Sequence, residues 1–93
     1  MSGQKVTREF PKDFSPVFAN SIEIIHKDDE FCITFIHTVP GLLIQKVKAS
    51  ISLTPVHAKK FLNALDSNIK GYESKFGEIK VQKQNQSTGV EVA

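Results

Sequence analysis

The sequence predicts an α+β fold: an antiparallel three-stranded β-meander, with room for a short fourth edge strand, packed on one face by a long C-terminal α-helix. Three observations carry this. Residues 18–37 contain two stretches of apolar/polar alternation separated by the acidic turn Lys27-Asp28-Asp29-Glu30. A third alternating stretch follows a Pro40-Gly41 turn signal. The segment from Leu53 to Ile79 then changes to helical period, with a start signal and a stop signal of its own. Alternation at period two marks half-buried strands, and a period near 3.6 marks an amphipathic helix.

Residues 1–16 are polar, charged and interrupted by Pro11 and Pro16. They read as a flexible N-terminal arm, because chain ends are poorly ordered unless something ties them down. Phe10, Phe14 and Phe18 recur every fourth residue, but the prolines oppose a helix there. Docking of these rings on a neighbouring surface is the alternative to a free arm.

The single α+β domain is placed at residues 17–80. In Phe18 to His26, Phe18, Ile22 and Ile24 point one way and Ser21, Glu23 and Ile25 the other. In Phe31 to His37, Phe31, Ile33 and Phe35 share a face, opposite Cys32, Thr34 and Ile36. Pairing His26 with Phe31 sets Ile24 against Ile33 and Ile22 against Phe35, so both apolar sets fall together. The third strand, Ile44 to Leu53, is expected to pair Phe35 with Val47, Ile33 with Ala49 and Phe31 with Ile51. Phe31, Ile33, Phe35, Val47 and Ile51 would then lie beneath the helix.

Thr54 is a suitable helix cap, and Pro55 suits the first helical position, which needs no N–H. Ala58, Phe61, Leu62, Leu65, Ile69, Tyr72 and Phe76 form one apolar stripe. Gly77 stands where helices end in a left-handed residue. Glu78 to Gln82 is the candidate for the short edge strand, and residues 81–93 read as a flexible polar tail.

Composition narrows the function. The chain has 93 residues, 40% hydrophobic and 24% charged, with a net charge of +2. That is one small domain of ordinary globular composition. Arg8 is the sole arginine among 12 basic residues, and arginine is the side chain best suited to bidentate phosphate and base contacts. The single Cys32 permits no intrachain disulfide and fits a reducing compartment. There is no apolar signal region and no run long enough to span a membrane, so a cytoplasmic protein is expected.

No catalytic constellation is visible, and no cofactor, metal or catalytic residue is assigned. His26, His37 and His57 lack ligand spacing. Asp28, Asp29 and Glu30 lack the spaced ligands and glycine of a calcium loop. His57, near the helix start, reads as a capping or surface residue, and Cys32 as a small half-buried one. A non-enzymatic, oligomeric interaction module is the leading reading. It would bind a protein partner or an extended peptide segment through a sheet edge, a sheet face or the docked arm.

A homo-oligomer, with a dimer favoured, is expected because Tyr72 and Phe76 on the helix and Ile25 and Ile36 on the far sheet face lack partners within so short a chain. Glu23 and Lys48 would pair across the far face while Ile25 and Ile36 pack, which makes that face the favoured interface. The alternative is a small nucleic-acid-binding protein using Lys46, Lys48, Lys59 and Lys60. Lys46 and Lys48 lie on the sheet face opposite the aromatic residues, whereas a stacking platform needs both on one surface.

Phe18-Ala19-Asn20, Pro40-Gly41, Leu53-Thr54-Pro55, His57-Ala58-Lys59, Asn68-Ile69, Tyr72-Glu73 and Phe76-Gly77-Glu78-Ile79 carry a resemblance over roughly residues 17–79. The chain resembles a family of small bacterial and archaeal proteins known only as a domain of unknown function of the DUF3467 type. The resemblance implies the same order of hairpin, strand and long helix, and implies no activity.

Overall fold

The structure is a computed structural model that describes residues 3–81 and 90–92. Strands β1 (Ser21–His26), β2 (Phe31–Thr38) and β3 (Gln45–Leu53) form an antiparallel meander, followed by helix α1 (Pro55–Phe76). A short strand β4 (Val90–Val92) completes one sheet in the order β3-β2-β1-β4. The fold is α+β, as the alternation and the helical stripe predict.

The first hairpin forms in the expected register, with Ile22 opposite Phe35, Ile24 opposite Ile33 and His26 opposite Phe31. The Lys27 amide donates to the Glu30 carbonyl at 2.9 Å and closes the acidic turn. Asn20 fixes the open end of the hairpin. Its side-chain amide donates to the Thr38 carbonyl (3.0 Å) and its Oδ1 accepts from the Thr38 amide (2.8 Å). The Asn20 amide itself donates to the Ile36 carbonyl at 3.0 Å. One asparagine thus substitutes for a strand residue with a matched donor and acceptor.

The β2–β3 register differs from expectation. Phe31 faces Leu53, Ile33 faces Ile51 and Phe35 faces Ala49, two residues further along β3 than predicted. The connecting loop explains part of this. The Leu42 amide donates to the Val39 carbonyl (3.2 Å) around Pro40 and Gly41, and Gly41 has φ +81°. A proline followed by a residue of positive φ is the pattern of a type II turn. Leu43 and Ile44 still follow this turn before β3 begins at Gln45.

The rest comes from a β-bulge. Past Phe35–Ala49 the pairing shifts, so Ile36 faces Val47 and His37 faces Lys46. An extra residue on one strand reverses which face its remaining side chains occupy. Val47 therefore leaves the Phe35 face, to which it was assigned, and stands 65% exposed.

The edge strand also differs. Residues 78–81 of the segment expected to supply it are not strand, and Gln82 lies outside the described residues. The edge of β1 is instead paired antiparallel by Val90–Val92, within the segment whose composition predicts a flexible polar tail. Glu23 faces Val92 and Ile25 faces Val90. The remainder of that tail, apart from Val81, lies outside the described residues.

The helix has the predicted limits. Thr54 is the N-cap, its Oγ1 accepting from the His57 amide at 3.2 Å, and Pro55 occupies the first turn. At the far end Gly77 adopts φ +96°, with its amide donating to the Glu73 carbonyl at 2.9 Å. Glu73 also accepts from the Ile79 amide through Oε2 (2.8 Å), which ties the chain beyond the helix back onto its last turn.

Burial is much lighter than the sequence suggests. Ile33 and Ile36, at 6% and 7% exposure, are the buried hydrophobic residues among those described. Phe31 and Phe35 are half-buried, Ile51 is 46% exposed, and no residue of α1 is buried. Only the first turns of the helix lie near the sheet.

Candidate interaction surface

The helix starts at the end of β3 and leaves an open apolar cleft between itself and the sheet. Ile24, Phe31 and Ile33 form the sheet wall, and Ala58, Phe61, Leu62 and Leu65 the helix wall. Its volume is about 340 Å³. Phe61 also lines a second apolar hollow with Ile33, Phe35, Ile51 and Leu53. The helix stripe then continues beyond the cleft as Ile69, Tyr72 and Phe76, exposed by 37%, 51% and 70%. Tyr72 and Phe76 lie against each other with ring centroids 4.9 Å apart. Cleft and stripe make one apolar surface running from the sheet onto the helix, larger than scattered exposed hydrophobics on an ordinary monomer surface.

The residues assigned to an interface fall in different surroundings. Tyr72 and Phe76 belong to the apolar surface just described. Glu23 lies opposite Thr34 on the far sheet face, half-buried, and Ile25 is 45% exposed beside Cys32. Ile36 is already covered within the chain. Lys48 sits in the bulge between Val47 and Ala49 and does not neighbour Thr34. Ser50 does, with hydroxyl oxygens 3.0 Å apart. The middle of the far face is a polar row, Thr34, Ser50 and Cys32, with Cys32 Sγ 3.3 Å from Ser50 Oγ.

The four lysines of the nucleic-acid reading lie on two elements. Lys46 and Lys48 are on β3, and Lys59 and Lys60 are neighbours on α1. The bulge splits the first pair's setting, since Lys46 stands opposite His37 while Lys48 is unpaired in the ladder.

His57 Nδ1 lies 2.9 Å from Thr54 Oγ1, within the helix cap. No group of three or more metal-ligating side chains occurs among the described residues, and no helix there is long and apolar enough to cross a membrane.

Besides the edge strand, sequence reasoning missed two features. The bulge has no signal in the alternation, because QKVKASISL alternates across it without a break. Asn20 carried a signal only as part of the Phe18-Ala19-Asn20 motif. Its structural meaning is now plain: Phe18 meets His37 edge-on at 5.5 Å, and Asn20 clasps Thr38.

The arm, from residue 3 to residue 16, carries no helix or strand and is exposed. It holds one turn, the Phe14 amide donating to the Pro11 carbonyl (3.1 Å), which brings the Phe10 and Phe14 rings to 5.3 Å.

A family described as "Protein of unknown function (DUF3467)" matches residues 4–81 of the chain. The match takes in the arm, the meander and the helix, and the chain belongs to that family. No curated protein and no solved structure matches it.

Proposed function

We propose that this member of the DUF3467 family is a non-enzymatic, homo-oligomeric interaction module whose partner is a protein or an extended peptide segment. The observation that carries the reading is the continuous apolar surface of cleft and helix stripe. Leaving such a surface in water is costly at roughly 25 cal/mol per Å², and surfaces of this kind are where proteins associate. A second feature suits an extended partner. Strand β3 has nine residues and forms an outer edge of the sheet, and an edge offers unpaired backbone groups to an added strand. The bulge and the lysines confine that edge to its straight half, Ala49 to Leu53.

A reducing, cytoplasmic setting suits the single free Cys32. Light scattering tests the self-association: a mass above that of one chain is expected at low micromolar concentration, and a single-chain mass persisting into the high micromolar range would overturn it. A salt series separates the module from a nucleic-acid binder. Apolar association should not fall steeply as sodium chloride rises, because it neutralises no phosphates. Tight binding of a labelled single-stranded oligonucleotide, lost steeply with salt, would favour the lysine reading instead.

A further inference from the structure

The spacing of the helix stripe bears on what could cover it. Ala58, Leu62, Leu65, Ile69, Tyr72 and Phe76 follow one another at intervals of four, three, four, three and four residues. This is a heptad seam, the 3.5-residue repeat that lets two helices pack knobs into holes. Phe61 stands beside the seam and reaches toward its own sheet, where it lines both apolar hollows. A helix that packed only on its own sheet would bury this stripe, yet no residue of α1 is buried.

We propose that α1 pairs antiparallel with α1 of a second copy of this chain, about a two-fold axis level with Ser67, and that the Tyr72–Phe76 pair of each helix fills the helix–sheet cleft of the other. The inference rests on the homo-oligomer reading above and specifies its interface. Four observations choose this occupant and direction.

The seam is self-complementary. Reversing the helix about Ser67 sets Ala58 against Phe76 of the partner subunit, Leu62 against Tyr72 of the partner subunit and Leu65 against Ile69 of the partner subunit. The largest side chains meet smaller ones, as interdigitating layers require. A parallel pair would stack Phe76 on itself and Ala58 on itself.

Charge favours the same direction. Lys59 and Glu73 flank the seam on one side, and the antiparallel register brings Lys59 opposite Glu73 of the partner subunit, twice by symmetry. Asp66 meets its own copy near the axis, and each is neutralised within its chain by Lys70 at 2.9 Å. In a parallel pair the flanking positions carry no such opposite charges. Opposed helix dipoles also favour the antiparallel arrangement.

The cleft has the right size. A cavity of about 150 Å³ accommodates one benzene ring, so about 340 Å³ admits the two rings of Tyr72 and Phe76.

The area is sufficient. Phe61, Leu62, Leu65, Ile69, Tyr72 and Phe76 are exposed by 37–70%; at roughly 200 Å² for a large side chain this leaves about 600 Å² per copy. Ile51 and the cleft walls bring it toward the ~800 Å² that each partner contributes to a stable interface.

The test uses the full-length chain. Ile69→Lys keeps helix propensity and puts a charge into the central seam layer. The expected result is a light-scattering mass falling to that of a single chain, with the far-UV circular dichroism retained. Direction is read by cross-linking on a Cys32→Ser background with a short bismaleimide. An equimolar mixture of Leu62→Cys and Tyr72→Cys chains should cross-link, while neither variant should cross-link alone, because identical positions lie about 15 Å apart along antiparallel axes.

An Ile69→Lys protein that stays oligomeric, or single variants that cross-link with themselves, would overturn the inference and leave the oligomer standing. So would loss of the oligomer on deleting residues 1–16, with no cross-link in the mixture; the arm would then be the occupant. A wild-type protein that is monomeric throughout would overturn both readings. If Ile69→Lys fails to fold, the cross-linking pattern decides alone.

Discussion

Ile33 is where the small core can be tested most directly. It sits centrally on β2, flanked by Ile24 and Ile51, and is 6% exposed. Ile33→Ala is expected to destabilise by about 2–5 kcal/mol in denaturant unfolding, the range for a buried aliphatic truncation. Thr54→Ala removes the acceptor for the His57 amide and should cost about 1 kcal/mol. Thr54→Ser, which keeps the oxygen, should restore most of it. Both caps were legible in the sequence, because capping chemistry depends on local residue type. Ile36 was not: its place on the alternation assigned it to an exposed face, and its burial depends on contacts that alternation does not report. The fate of Asn20 was equally hidden, since pairing with Thr38 requires knowing where β2 ends.

At the scale of elements, the strands, the first hairpin and the helix limits were read from period and punctuation, while the β2–β3 register was not. Period two fixes a face but is blind to a shift of two residues, which preserves every face assignment between Phe31 and Phe35. The bulge then moved Val47 off that face without leaving a trace in the pattern. The helix offers a separate test of its solvent side. Gly71 lies in mid-helix with nothing within 4 Å of where a Cβ would stand, and it falls outside the seam. Gly71→Ala should therefore raise stability by up to about 1 kcal/mol, the glycine cost in a helix interior. Oligomer mass should not change. A loss of association in Gly71→Ala would mean that the partner approaches this side of the helix instead.

Across the whole molecule, the light burial and the exposed seam describe a chain whose stability should be inseparable from its concentration. The stripe was legible in the sequence, and so was the want of a partner for Tyr72 and Phe76; the lighter burial of its first half was not, because period reports a face and not how closely that face approaches the sheet. When association supplies a large share of the buried surface, folding and pairing become linked, and the thermal midpoint rises with protein concentration. For a two-state dimer, tenfold more protein is worth about 1.4 kcal/mol. Spread over the unfolding entropy of two 93-residue chains, that corresponds to roughly 3–6 °C per decade. A dilution series followed by circular dichroism from low to high micromolar concentration should show this slope in the wild type. In Ile69→Lys the slope should vanish and the midpoint should fall below the lowest wild-type value. A wild-type midpoint constant across the series would mean that one chain closes its own apolar surface. The cleft between α1 and the sheet would then have to shut within a single copy.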